Sequence, residues 1–382
     1  MSTPRTTQKP RVLAFADVRD SLVAACRVHT PLLELQRAGR IAEYVVTDAT
    51  LRGAPRAGFF DVVWLQRGAD AWLARLIANR LPQGYLLDVD DHLLCRPSYL
   101  APRDMPDASA LTDALRACRV LTVPSQRLAE LLERRSVVPL SQRARTCPNA
   151  VAFGAAPLRE PRRPTAVLLT QGHRLALTAS EDDVLGAVAE FAARRGLPIW
   201  CLGALPPRLA AVASSAGAVV EALSPRSFAQ YHSALDARPV LLGVAPLETR
   251  GDAQTNEFVS GKSDIKMVEY GGYGHPAVYS RAAPYVDTDI ACGRRADNDH
   301  AAWTAALDEL YEDGWQALAD EQRAVRERRD LERVAAESWW PALEAARLEE
   351  PVDAAMLLTD IDRLRAFARD RVVRARWHLR SR

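Results

Sequence analysis

Short apolar runs alternate with helix-length amphipathic stretches, twice over, and this pattern constrains the chain more than any other feature of it. Runs at 11–17 (RVLAFAD), 43–48 (EYVVTD), 61–66 (DVVWLQ), 85–90 (YLLDVD) and 120–124 (VLTVP) read as buried strands. Helical patterns lie at 21–38, stopping at Gly39, at 70–80, and at 126–135, the last capped by Ser125. A basic, proline-punctuated stretch at 158–164 (LREPRRP) reads as a linker, and the alternation then resumes. Strands are predicted at 165–170, 199–202, 218–222 and 240–245, with helices at 180–195, 206–215 and 227–235. Strand–helix alternation of this kind makes β-α units on a parallel sheet. Two sets of units predict an α/β chain of two doubly wound domains, with ligands at the carboxyl ends of the strands. From Asn298 the pattern is helical, with segments at 301–312 and 315–337, then an interruption at Trp339-Trp340-Pro341. The expected division is 1–160, 161–335 and a helical, basic end at 336–382.

At 382 residues the chain is long enough for two cores, and 48% hydrophobic with 26% charged residues suits a globular protein. A net charge of +2 implies no general polyanion partner. The six cysteines are scattered, with no CxxC pair and no histidine at metal-ligand spacing. That pattern argues for reduced thiols in a cytoplasm and against a disulfide scaffold or structural zinc. The polar start MSTPRTTQKP lacks the apolar core of a signal peptide, and no run approaches the ~20 apolar residues of a membrane span.

The richest segment for chemistry is 262–279 (KSDIKMVEYGGYGHPAVY), which reads as a polar turn, a short helix and a strand at 276–280. Lysine occurs only at Lys9, Lys262 and Lys266, every other basic residue being arginine or histidine. Two of three lysines thus stand four residues apart at one helix start, with Ser263 the expected N-cap and Asp264 in the first turn. Two ammonium groups and a hydroxyl at a helix N-terminus suit a phosphate or diphosphate. Lys262, Lys266, Glu269 and Tyr273 share a stripe, and a carboxylate at Glu269 could accept from sugar hydroxyls. An exposed Lys266–Glu269 ion pair accounts for the same spacing.

Other candidates lie at strand ends. Asp88, Asp90 and Asp91 (DVDDHL) suit hard-cation ligation, a base or acceptor-positioning role for Asp90 or Asp91, or simple capping of the next turn. Arg27 and Arg67 could meet a leaving diphosphate or an acidic acceptor, or pack their stems on the core. Gly172, in TQGH at 170–173, would let a backbone approach phosphate, while His173 reads as a polar loop residue. The end, 360–382, holds eight arginines against three aspartates, the pattern of a solvated tail or of one that binds an anionic membrane or nucleic acid.

The 262–279 segment resembles the nucleotide-sugar-binding segment of GT-B glycosyltransferases of the "group 1" kind, with their K-S-x-x-K-x-x-E-Y-x-x-x-G-x-P pattern after a loop, here 247–261. Further matches are ACRVHTPLLEL at 25–35, VVWLQR at 62–67, DVDDHL at 88–93 and CPNAV at 147–151. The resemblance implies two Rossmann-like domains facing a cleft, C-terminal helices that cross back near a tryptophan, and sugar transfer from a nucleoside-diphosphate-sugar to an acceptor hydroxyl. It also implies that Lys262 meets the donor diphosphate and Glu269 the ribose, without metal or other cofactor. Many members carry a glutamate eight residues before the second one, where this chain has Gly261. A nucleotide-sugar epimerase and a catalytically inactive nucleotide-binding scaffold are the rival readings. A glycan, a lipid-linked intermediate, a natural product, a protein or a modified nucleic-acid base would fit as acceptor.

Overall fold

The computed structural model describes residues 8–16, 22–48, 58–67, 71–102, 105–154, 157–171, 177–225, 227–237 and 239–363. The first sheet contains β1 (Arg11–Phe15), β2 (Glu43–Thr47), β4 (Val62–Gln66), β5 (Leu86–Asp88), β6 (Val120–Val123) and β7 (Ala144–Thr146), all parallel, in the order β2-β1-β4-β5-β6-β7. The second contains β8 (Val167–Gln171), β9 (Ile199–Gly203), β10 (Val220–Leu223), β11 (Leu242–Ala245), β12 (Ala277–Ser280) and β13 (Arg294–Ala296), also all parallel, in the order β10-β9-β8-β11-β12-β13. Strand order reverses between β1 and β4 in one sheet and between β8 and β11 in the other. Such reversals open a crevice at the carboxyl ends of the strands.

Alternation along each strand divides the apolar residues between two faces. Leu13, Phe15, Val63 and Leu65 belong to one core, and Val12, Ala14, Val62 and Trp64 to the other. The C-terminal segment supplies both. Leu331, Val334, Trp339 and Ala342 join the second of these cores. Leu348, Val352, Leu357 and Ile361 join the first, where β14 (Val352–Asp353) pairs antiparallel with β3 (Phe59–Phe60). Trp339 stacks on Trp64 at 5.0 Å between ring centroids. The chain thus leaves the first domain beside Ala150 and Val151 and returns beside Asp330. At that crossing the Val151 amide donates to Arg329 O and the Leu331 amide to Val151 O, each at 3.1 Å.

Several expectations need correction. The helix predicted over 315–337 breaks at Asp330, whose extended backbone (ψ 137°) stops it, while Trp339-Trp340-Pro341 does not end the helical run. A π-turn at Ala335–Trp339 leads into a helix at Trp340–Ala345 with Pro341 in its first turn. The same device occurs at Ala25–His29, ahead of Pro31. A proline supplies no amide to the preceding turn, and the wider turn accommodates it. The stretch 247–261, read as a loop, contains a helix at Ala253–Ser260, capped by Asp252, which accepts from the Thr255 amide at 2.8 Å. A helix at Ala108–Ala117 and the polar edge strands β7 and β13 were not anticipated. Among the described residues, no helix is long and apolar enough to cross a membrane.

Candidate functional site

The loops beyond the carboxyl ends of the two sheets meet. From the second domain come the Ala253–Ser260 helix, the turn at Gly261–Asp264 and the Ile265–Gly272 helix. Asp264, not Ser263, is the N-cap residue, and its carboxylate is committed elsewhere, accepting from Thr288 Oγ1 at 2.6 Å and Arg329 Nη2 at 2.7 Å. Ser263 is partly exposed in the preceding turn. Gly261 explains itself by contact, since a Cβ there would stand 2.7 Å from His92 Cβ of the first domain. A side chain at position 261 would require that surface to shift. Gly272 is similarly forced, by the Phe153 ring 2.1 Å from where its Cβ would lie.

The two lysines have different surroundings. Lys266 donates to Glu269 Oε2 at 2.7 Å and to the Tyr231 hydroxyl at 2.8 Å, and that hydroxyl donates to the same carboxylate oxygen at 2.7 Å. Burial alone would lower the Lys266 pKa, but the Glu269 charge more than offsets it and the value is raised. Glu269 is only 4% exposed, so the pair is not the exposed one that spacing alone allows. Both bonds converge on Oε2. Lys262 extends into the cleft, its Nζ 3.5 Å from Asp91 Oδ1 and 4.9 Å from the Phe258 ring centroid. The stripe expected of Lys262 with Lys266 therefore splits, because Lys262 precedes the helix.

In the first domain, Arg67 directly follows β4 at the reversal point. Its φ of 59° is left-handed, a conformation that costs a non-glycine residue roughly 1–2 kcal/mol. Its amide donates to Asp88 O at 2.7 Å, and its guanidinium grips both oxygens of Asp90 and reaches Asp91 Oδ2 at 3.4 Å. Burial would raise the Asp90 carboxyl, but the Arg67 charge outweighs it and holds the group below the usual carboxylate range. Arg27 corrects its expected role. It is 2% exposed and bonded through Nε and Nη2 to Asp88, and through Nη1 to Cys147 O and Asn149 Oδ1. Its guanidinium also lies 4.6 Å from the Trp339 ring centroid. Arg27 and Asp88 thus form a buried ion pair. Asp90 and Asp91 stay half-buried on the cleft side.

Two features carry no sequence signal of their own. Tyr231 reaches Glu269 across 38 residues of sequence. Glu248, beyond β11, is 1% exposed and accepts from the amides of Thr178, Ser180, Thr249 and Arg250 and from the hydroxyls of Thr178 and Ser180. Burial opposes its ionisation, yet those donors hold its carboxyl at about 2. Gly172, His173 and the arginine-rich tail from 364 lie outside the described residues.

His92, Cys95 and Glu257 place one ligand-type atom each within 4.8 Å of one another between the domains. Arg135 already forks onto Glu257, and Arg134 stands 3.9 Å from it. Two guanidiniums there neutralise the carboxylate a cation would need, so the cluster works as an interdomain clasp. Ser98–Thr255 at 3.0 Å and Arg127–Asp287 at 3.4 Å add to it. A cavity of about 250 Å³ lies alongside, lined in part by Ser125, Arg127, Thr146, Lys262, Thr288 and Arg329.

No protein-family model and no curated protein matches the sequence. Solved structures do match. HepE from Anabaena, solved with UDP and glucose, superposes with a TM-score of 0.58 at 10% identity, covering 86% of this chain and 98% of its own. A glycosyltransferase from Rickettsia africae gives 0.57 at 9% identity, over 88% and 98%. A Listeria monocytogenes chain named as a UDP-N-acetylglucosamine 2-epimerase gives 0.50 at 11%, over 86% and 96%. The fold is GT-B.

Proposed function

We propose that this chain is a glycosyltransferase that moves a sugar from a nucleoside-diphosphate donor to an acceptor hydroxyl. The observation that carries the reading is the approach of Lys262, from the second domain, to within 3.5 Å of Asp91, from the first, with Arg67 and Asp90 beside Asp91. A departing diphosphate gathers charge on its β-phosphate, and leaving-group stabilisation is the first requirement of the chemistry. Lys262 supplies a mobile ammonium there, with the Ser263 hydroxyl beside it. Glu269 keeps Oε1 for a ribose hydroxyl, since Lys266 and Tyr231 both bond Oε2. Lys266 supports that carboxylate and stands behind it. Asp90, gripped by Arg67, and Asp91 position or deprotonate the acceptor hydroxyl. Arg67 sets them and is itself spoken for. Charge on the phosphates is met by lysine, so turnover proceeds in EDTA.

The structural relation to HepE, solved with UDP and with UDP-glucose, makes a uridine diphosphate the first donor to test. UDP or GDP at millimolar concentration should raise the melting temperature by mass action. If no nucleoside diphosphate or nucleotide sugar shifts the melt, the proposal fails. The Listeria neighbour favours a second reading, epimerisation of a nucleotide sugar. Turnover of the donor sugar with no acceptor present, read by mass analysis and NMR, would select it.

A further inference from the structure

The contact between Lys262 and Asp91 is an ion pair that spans the cleft. The ammonium stands 3.5 Å from Asp91 Oδ1, with the two side chains 25% and 23% exposed. Asp91 is also held from behind, its Oδ2 accepting from Arg67 Nη2 at 3.4 Å, while Arg67 spends its better bonds on Asp90. A solvent-wet pair of this length is weak and exchangeable. A diphosphate offers the same ammonium more charge and more acceptor oxygens than a carboxylate does.

We propose that Asp91 competes with the donor's diphosphate for Lys262, so that donor binding transfers the ammonium from Asp91 to the phosphate. This rests on the donor reading above. The carboxylate given up by Lys262 stays in place through Arg67 and faces the acceptor side as a free acceptor of a proton or hydrogen bond. Asp91 therefore weakens donor binding slightly, and it becomes available to the acceptor hydroxyl only once the donor has arrived. Acceptor binding follows donor binding as a consequence.

The test is calorimetric titration of UDP, GDP and inorganic pyrophosphate into wild type, Asp91→Asn, Lys262→Ala and the double variant. Asp91→Ser is run in parallel, because the asparagine amide oxygen can still accept from the ammonium. Both Asp91 substitutions should tighten binding, by about two- to fivefold for a partly exposed pair. The tightening should vanish when Lys262 is alanine, since the cycle isolates the coupling between the two residues. Unchanged or weaker binding by the Asp91 variants overturns the competition, and so does equal tightening in the Lys262→Ala background, which would mark a general field effect. In both cases the donor reading survives provided the wild type binds UDP or GDP. If the wild type binds none of the three probes, the donor reading itself fails and takes the competition with it.

Discussion

Buried carboxylates beyond the carboxyl ends of the two sheets include sites stabilised in opposite ways. Beyond the first sheet, carboxylates meet guanidiniums, as in Arg27–Asp88 and Arg67–Asp90. Beyond the second sheet, Glu248 meets no cation among the described residues and is held by four amides and two hydroxyls. The first arrangement ties together residues far apart in the chain, and each carboxylate is matched by one guanidinium. The second gathers dipoles from neighbouring loops, so the carboxylate organises the backbone itself. One end tolerates little substitution of its partners, and the other end is sensitive to acid.

Four measurements would break or sharpen this comparison. Arg27→Ala should have the largest effect, a loss of roughly 3–5 kcal/mol in urea unfolding, because it strands Asp88 as an unpaired buried charge. A loss below about 1 kcal/mol would mean that water or another group replaces the guanidinium. Acid comes next. The folded-state pKa of Glu248, about 2, is depressed from an ordinary 4.5, so its contribution is full above pH 4.5 and disappears as pH falls towards 2. The size is about 3 kcal/mol, and Glu248→Gln should flatten that part of the stability–pH curve. Glu257, also held at about 2, by Arg135, retains its share of the slope in that variant.

Lys262→Ala should then cut turnover at least about tenfold, equivalent to about 1.4 kcal/mol, with the melting temperature nearly unchanged. Lys262→Arg should rescue only in part, a planar fork placing its charge differently from an ammonium. Near-normal turnover would move the diphosphate site away from the cleft's central ion pair. The smallest effect is expected at Arg281, whose pairing with Asp297 at 3.2 Å joins side chains 57% and 68% exposed. Arg281→Ala should stay within about 0.5 kcal/mol of wild type. A larger loss would show that exposed pairs in this arginine-rich chain carry more than exposure suggests.

The alternation of strands and helices was readable because central strands of a doubly covered sheet are buried throughout and almost wholly apolar, as β4 and β11 are. The edge strands β7 (ART) and β13 (RRA) lack that signature, having one neighbour and mostly polar side chains. The helix at Ala253–Ser260 hid for a related reason, as AQTNEFVS buries only Thr255, Phe258 and Val259. At the candidate site, residue types singled out the 262–269 segment, yet their partners did not follow from spacing. Arg27 and Arg67 look alike in sequence, and only the fold places one against Asp88, 61 residues away, and the other beside Asp90 and Asp91. Glu248 drew no notice because backbone amides, its main partners, are present at nearly every residue.

The paired crossing at Val151 and Asp330 has a mechanical consequence. Two separate strands of chain passing between the domains could slide or twist independently. Here the amides of Val151 and Leu331 lock them side by side, so the pair behaves as a doubled ribbon. A doubled ribbon resists torsion and bends readily about its flat face. A spine of that kind would favour opening as the covers of a book do over twisting, with the contacts farthest from the spine travelling furthest for a given angle.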